Sequence, residues 1–161
     1  MTLVVQLRMW LAGVLVLAGC NSAPIQEGNM LAFTGGSLGI ADDVTSGLVG
    51  VECRFGEKDS HLIPSVGISW SDDGAYYFSV EARHNFWIDD RWVFTPSLGA
   101  GYFDESPSLD LGGDLEFRTG FEITYRTKRE WRMGLSFFHL SNAGMEDRNP
   151  GTEALAVVLT A

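Results

Sequence analysis

The sequence predicts an all-β fold, an eight-stranded antiparallel transmembrane β-barrel, and three observations lead to this prediction. After residue 20 no uninterrupted apolar stretch is long enough for a membrane helix, and no helical period of 3.6 residues is sustained. Apolar and polar residues instead alternate with a period of two, as they do along strands. Eight segments show this alternation, and eight strands is the smallest common size of an outer-membrane barrel.

The N-terminus has the layout of a bacterial secretory signal. Residues 1–19 carry a single charge, at Arg8, followed by an apolar run and then small residues. The run ends in Leu17-Ala18-Gly19-Cys20, which resembles the lipobox of bacterial lipoproteins. We therefore expect cleavage before Cys20, acylation of Cys20 and a short polar linker over residues 20–28. The alternative is an ordinary signal peptide followed by a chance cysteine.

The barrel domain is expected over residues 29–161, with short turns alternating with longer loops at residues 104–112 and 142–151. Aromatic residues near the strand ends are typical of interfacial girdles. They are Trp70, Tyr76, Tyr77, Phe86, Trp87, Trp92, Tyr102, Phe103 and Trp131. The predicted strands are Met30–Gly36, Ser46–Phe55, Leu62–Trp70, Ala75–Trp87, Arg91–Phe103, Gly113–Arg126, Glu130–Ser141 and Thr152–Thr160.

Charged side chains on the strands distinguish a membrane barrel from a soluble one. On the sixth predicted strand one face is apolar, and the other carries Asp114, Glu116, Arg118, Glu122 and Arg126. Such a face cannot line a dry core. In a membrane barrel it lines a polar interior, where Glu and Arg can pair, and the apolar face meets lipid. A lipocalin-like soluble barrel with an apolar interior is the alternative.

Composition excludes several classes of function. The net charge is −10 at pH 7, and Lys and Arg are not clustered, which argues against nucleic-acid binding. Two cysteines allow at most one disulfide. The three histidines are dispersed, so no metal site is predicted. The segment Gly35–Gly39 resembles a phosphate loop only loosely and is expected to be a strand end.

The C-terminal hairpin brings together the residue types of a serine hydrolase. His139 and Ser141 share the parity of the apolar residues of their strand, and Glu153 shares the parity of those on the next strand. All three are therefore expected on the outer face, close enough for contact across the hairpin. In such a set histidine accepts the proton of serine and the carboxylate orients the imidazole. The alternative is three polar residues lying in the lipid headgroup zone.

The order of motifs in this hairpin is more specific than the pair of His139 and Ser141 alone. The segment reads His139-Leu140-Ser141-Asn142-Ala143, followed by Asn149-Pro150-Gly151 and then Glu153. Over roughly residues 113–161 the chain resembles the outer-membrane lipid A 3-O-deacylases, the PagL family. The chain departs from family members in the lipobox at Cys20 and in lacking a terminal aromatic residue.

The resemblance implies an eight-stranded barrel in the outer membrane of a Gram-negative bacterium that removes the 3-O-linked acyl chain of lipid A. It implies Ser141 as nucleophile, His139 as general base and Glu153 as the orienting carboxylate. Asn142 would donate to the oxyanion, with Asn149 in support, and no metal or cofactor would be needed. The partner would be lipopolysaccharide in the membrane, and a homodimer is left open. The alternatives are a barrel phospholipase or acyltransferase, and a catalytically silent surface barrel.

Overall fold

The computed structural model describes residues 28–56 and 61–161, which form a closed antiparallel β-barrel. The predicted signal, Cys20 and most of the predicted linker lie outside the described residues. Among residues 28–56 and 61–161, no helix is both long and apolar enough to cross a membrane. The strands are β1 (Met30–Leu38), β2 (Ser46–Arg54), β3 (Ile63–Ser71), β4 (Tyr76–Arg83), β5 (Phe86–Trp87), β6 (Trp92–Asp104), β7 (Leu115–Arg126), β8 (Arg132–Ser141) and β9 (Thr152–Thr160).

Strands β4 and β5 are two parts of one barrel strand. Both pair with β6 in one continuous register, from Tyr76 opposite Asp104 to Trp87 opposite Val93. The gap between them lies opposite Pro96, which has no N–H and cannot donate to the neighbouring strand. At this position the His84 N–H donates to the Pro96 carbonyl oxygen, at 3.2 Å. The barrel therefore has eight strands, and the predicted fold class is confirmed.

The order around the barrel is β4, β3, β2, β1, β9, β8, β7 and β6, and pairing of β4 with β6 closes it. Every neighbouring pair is antiparallel. The outer limits of the eight predicted strands differ from the observed ones by no more than two residues, because the period-two pattern stops where each strand stops. The alternation therefore also determines which side chains point inward and which point outward.

Charged residues fill much of the interior. Arg54 Nη2 donates to Glu122 Oε1 at 2.7 Å, and Arg83 Nη2 donates to Glu52 Oε2 at 2.6 Å. Arg83 also pairs with Glu81, at 3.0 Å. All five residues are buried. This polar interior is the one predicted for a membrane barrel, and it differs from the apolar interior of the soluble alternative.

The interior is apolar near one end of the barrel. The four connections at that end, which we call the loop end, are residues 39–45, 72–75, 105–114 and 142–151. Beneath them packs a buried cluster of Leu38, Leu48, Ala75, Tyr77, Phe103, Leu111, Phe138, Leu140 and Ala154. The two longest loops lie at this end, as expected, although the β3–β4 turn beside them is short.

The predicted aromatic girdle is wrong for three residues. Tyr77, Trp87 and Phe103 are 4%, 5% and 3% exposed and lie inside the barrel. Each is the second of two consecutive aromatic residues, and adjacent residues of a strand point to opposite faces. The first member of each pair therefore faces outward. Trp70, Trp92 and Trp131 are also exposed, as predicted.

The outward position of Leu98 gives a direct test of membrane topology. Leu98 lies near the middle of β6 and is 60% exposed, so Leu98→Arg is expected to lower the free energy of unfolding in lipid by about 2–4 kcal/mol. Ile88→Arg makes the same kind of change in the β5–β6 turn and should cost about 0–1 kcal/mol, because the penalty falls toward the interface. Denaturant unfolding in vesicles measures both values. Equal costs would contradict a lipid-facing Leu98.

Candidate active site

His139 and Glu153 form a hydrogen-bonded pair on the outer wall of the barrel. They lie opposite each other in the register of β8 and β9. His139 Nδ1 is 3.0 Å from Oε1 of Glu153, and the two side chains are 37% and 29% exposed. Because Nδ1 is occupied by the carboxylate, Nε2 is the ring nitrogen left to exchange a proton with another group.

Ser141 is the last residue of β8 and lies on the same outer face as His139. Residues two apart on a strand are separated by about 7 Å along it, so the two side chains emerge as neighbours. Within the described part of the chain, the Ser141 hydroxyl makes no hydrogen bond to His139. Catalytic hydrogen bonds are often long before substrate binds. The arrangement therefore provides an acid–base pair beside a hydroxyl that can act as a nucleophile.

These outward residues have exposed apolar neighbours on the same face of the barrel. Leu135 precedes His139 on the same face of β8 and is 57% exposed. Leu155 follows Glu153 on the same face of β9 and is 46% exposed. The polar set thus lies at the loop end of an exposed apolar surface.

Asn142 does not occupy the place expected of an oxyanion donor. It follows Ser141 directly, points to the opposite face and is 0% exposed. Its Nδ2 group donates to the carbonyl oxygens of Arg148 at 2.7 Å and Leu111 at 3.1 Å, and its Oδ1 accepts the Gly144 N–H at 2.9 Å. Both amide hydrogens are therefore used to fix the loops. In this arrangement the Asn142 side chain has no N–H left for an oxyanion, and its contacts support a structural role.

Asn149 is attached to the same loop. Its Oδ1 accepts the N–H of Asn142 at 3.1 Å, and its side chain is otherwise exposed. Arg148 beside it pairs with Asp110 of the β6–β7 loop. The 142–151 loop is thus connected both to the end of β8 and to a second loop.

The β6–β7 loop is a part of the site region that sequence reasoning missed. Through Leu111 and Asp110 it holds Asn142 and Arg148, and it is itself held by the β3–β4 turn. Contacts between loops depend on how the barrel closes, and they produce no periodic pattern of residues in the sequence. The pair of aspartates at residues 72–73 was the available signal, since Asp is common where turns are fixed by side chains.

Asp73 is the centre of the contacts between these loops. Its carboxylate accepts hydrogen bonds from Ser71 of β3 and from Ser106 and Ser108 of the β6–β7 loop. Burial raises the pKa of Asp73, but the hydrogen bonds from Ser108, Ser71 and Ser106 outweigh this effect and hold the pKa well below its usual range. The ionised carboxylate of Asp73 is thus the form that holds the β6–β7 loop against the β3–β4 turn.

The attachment of the β6–β7 loop to Asp73 is expected to weaken at acidic pH. A folded-state pKa below the unfolded value means that the stabilisation is complete above about pH 4 and is lost as the pH falls toward the folded pKa. Amide hydrogen exchange of residues 105–114, corrected for intrinsic rates, should show this loss of protection. Asp73→Asn should lower the protection roughly tenfold already at pH 7. Asp43→Asn removes the same charge from an exposed loop position and should change nothing, and equal effects would contradict this role of Asp73.

The other histidines lie away from this site. His84 Nδ1 is 2.7 Å from the carbonyl oxygen of His61, at the opposite end of the barrel from His139. Across residues 28–56 and 61–161, no three His, Cys, Asp or Glu side chains are grouped in a way that could hold a metal ion.

Comparisons with known proteins match most of the described barrel. A family model described as lipid A 3-O-deacylase (PagL) matches residues 35–160. A protein named lipid A deacylase PagL, from Bordetella bronchiseptica, is 26% identical over 108 residues, which are 62% of this chain. The aligned part spans 61% of that relative's length.

Two solved structures share the fold. A structure titled as the crystal structure of the outer membrane enzyme PagL has a TM-score of 0.63 at 16% identity. The match covers 81% of this chain and 97% of that one. A structure from the de novo design of transmembrane β-barrels has a TM-score of 0.55 at 12% identity, with 87% of this chain and 98% of the design covered. At these identities the likeness concerns the barrel alone.

Proposed function

The chain belongs to the lipid A 3-O-deacylase (PagL) family, and we propose that it is an esterase that hydrolyses the 3-O-linked acyl chain of lipid A. The family membership confirms the resemblance predicted from the C-terminal hairpin, and its barrel is of the outer-membrane type. The observation that carries the proposal is the hydrogen bond between His139 and Glu153 on the outer wall, two residues from Ser141.

In the proposed reaction the Ser141 hydroxyl attacks the ester carbonyl carbon of the acyl chain while its proton passes to Nε2 of His139. Glu153 accepts the Nδ1–H of His139 and stabilises the imidazolium that forms. Collapse of the tetrahedral intermediate breaks the ester bond. The 3-hydroxyl of the sugar leaves with the proton from Nε2, and the acyl chain stays on Ser141.

Deacylation repeats these steps with water as the nucleophile. His139 accepts a proton from the attacking water, and the bond between the acyl carbon and the Ser141 oxygen breaks. The serine recovers its proton, and a free fatty acid is released. The two half-reactions as proposed use only protein side chains and water.

Asn149 is the member of the predicted asparagine pair that we propose for the oxyanion. Asn142 uses both amide hydrogens inside the protein. In the described part of the chain, the exposed NH₂ group of Asn149 makes no hydrogen bond, and its Oδ1 is fixed by the Asn142 N–H. Such a held donor stabilises charge at little reorganisation cost.

The proposed route of the substrate is lateral. The site lies on the outer face, with the exposed Leu135 and Leu155 on the same face of the two strands. A lipid A molecule in the outer leaflet can therefore present its ester at the loop end while its acyl chains remain in the bilayer. We place the loop end at the cell surface for this reason.

We further propose that Cys20 is acylated, because Leu17-Ala18-Gly19-Cys20 resembles a lipobox. This residue lies outside the described part of the chain. Metabolic labelling with a tagged fatty acid should mark the wild type and miss Cys20→Ala. Equal labelling of the two proteins would remove the proposal.

Mass spectrometry of lipid A from a Gram-negative host that lacks this activity tests the proposed function. Expression of the chain should remove one 3-O-linked hydroxyacyl group from lipid A and leave the phospholipids intact. Lysophospholipids would indicate a phospholipase, and a gain in lipid A mass would indicate an acyltransferase. Unchanged lipids with a folded barrel would indicate a catalytically silent protein.

A further inference from the structure

Gly151 lies directly against the imidazole of His139. It is the buried residue that precedes β9, and its φ of +68° is in the left-handed region. A Cβ atom at this position would lie 2.8 Å from Cε1 and 3.3 Å from Nε2 of His139. It would also lie 3.1 Å from the carbonyl oxygen of Leu140. A side chain at residue 151 therefore requires the ring of His139 to shift.

Two neighbours determine where the ring of His139 can lie. Glu153 binds Nδ1 at 3.0 Å, and a Cβ at residue 151 would meet the edge formed by Cε1 and Nε2. The hydrogen bond alone leaves the imidazole free to swing about that contact. Because residue 151 has no side chain, the ring can occupy the space next to it without being pushed aside. Building on the proposed function, we propose that Gly151 is a positioning residue, which leaves the imidazole the space it needs to direct Nε2 of His139 toward Ser141.

A side chain at residue 151 would displace the ring rather than the backbone. His139 and Glu153 lie on two strands joined by a regular ladder, so the backbone around them is held on both sides. The imidazole is the movable partner, since it turns about two side-chain bonds. A displacement of about 1 Å from the reactive geometry can lower a rate roughly 100-fold.

Three variants separate contact with the ring from backbone strain. Gly151→Ala adds a Cβ at a positive φ. Gly151→Asn adds the same Cβ, but asparagine tolerates the left-handed region far better than alanine. Gly74→Ala is the matched control, because Gly74 has a φ of +102° and a Cβ there would meet nothing within 4 Å.

Two rates are measured on the purified, folded barrels. One is release of fatty acid from lipid A, resolved into kcat and KM. The other is reaction of Ser141 with a fluorophosphonate, quantified only in the gel band with the mobility of the folded barrel. Both Gly151 variants should lose roughly 100-fold in kcat and in the fluorophosphonate rate, with KM nearly unchanged. Gly74→Ala should match the wild type in both.

Recovery of both rates in Gly151→Asn would show that strain, and not contact with the ring, causes the loss, and would overturn the inference. A higher KM with an unchanged fluorophosphonate rate would also overturn it, since that result places residue 151 in substrate binding. Failure of the proposed function looks different. A folded wild type that releases no fatty acid and does not react with the fluorophosphonate would overturn the proposed function and this inference together.

Discussion

Replacing His139 with asparagine is expected to lower lipid A deacylation by roughly 10⁶-fold, whereas Glu153→Ala should cost roughly 10⁴-fold. Loss of a group that exchanges protons removes the reaction step itself, while loss of the orienting carboxylate leaves an imidazole that still reacts in part. The 3.0 Å contact between Nδ1 and Glu153 supplies the orientation that the second variant loses. The two losses of activity are measured as the rate of fatty acid release from lipid A by the purified barrels, at equal concentrations of folded protein.

Both variants should fold, because the two side chains lie on the outer wall and are partly exposed. Thr119→Ala is a matched control, since Thr119 is the exposed neighbour of His139 on β7. Its activity should stay within a few-fold of the wild type. The different gel mobilities of heated and unheated barrels check folding in each case. A folded His139→Asn protein with wild-type activity would contradict the assignment of His139 as the base.

Two glutamates on β7 should differ strongly in their effect on stability. Glu122 receives hydrogen bonds from Arg54 at 2.7 and 3.0 Å and from Arg83 at 3.2 Å, and it is 2% exposed. Glu122→Gln removes a negative charge that pairs with two buried arginines. It is therefore expected to lower the free energy of unfolding by about 3–5 kcal/mol.

Glu116 provides the comparison within the same strand and the same interior. It is 0% exposed, and neither carboxylate oxygen has a hydrogen-bond partner among the described residues. Glu116→Gln breaks no ion pair and should change the free energy of unfolding by less than about 1 kcal/mol. Denaturant titrations in the same lipid vesicles compare the two variants. Equal losses would show that the arginine contacts of Glu122 do not stabilise the barrel.

The strands could be predicted from the sequence because a barrel repeats one simple rule. Outward apolar and inward polar residues alternate in β7, and this pattern fixed both the face of Glu122 and the ends of the strand. The same rule placed His139 and Ser141 on one face. The break between β4 and β5 does not change the alternation and is explained by Pro96, which the sequence shows but the pattern does not use.

Parity also indicates the direction of the Asn142 side chain. The resemblance implies Asn142 as an oxyanion donor, and a residue next to an outward serine on a strand points its side chain inward. The structure places Asn142 inside, bonded to Leu111 and Arg148. Consecutive aromatic residues show the same point, since only one of Tyr76 and Tyr77 can face the membrane.

Two features could not be predicted from the sequence. They are the contacts between loops and the position of Gly151 next to the imidazole of His139. The hydrogen bonds of Asp73 to Ser106 and Ser108 join segments more than 30 residues apart, and the partners depend on how the barrel closes. The glycine in Asn149-Pro150-Gly151 indicates a turn from sequence alone. Its contact with His139 follows from the register of β8 and β9, which is known only once the strands are paired.

The central claim is that Ser141, activated by His139 and Glu153, cleaves the 3-O-linked acyl chain of lipid A. The most direct test compares purified, folded Ser141→Ala with the wild type, using lipid A as the substrate and mass spectrometry to identify both the shortened lipid and the released fatty acid. The wild type should yield both products, and Ser141→Ala should yield neither above the uncatalysed background. A folded Ser141→Ala protein that releases the 3-position acyl chain at the wild-type rate would contradict the claim.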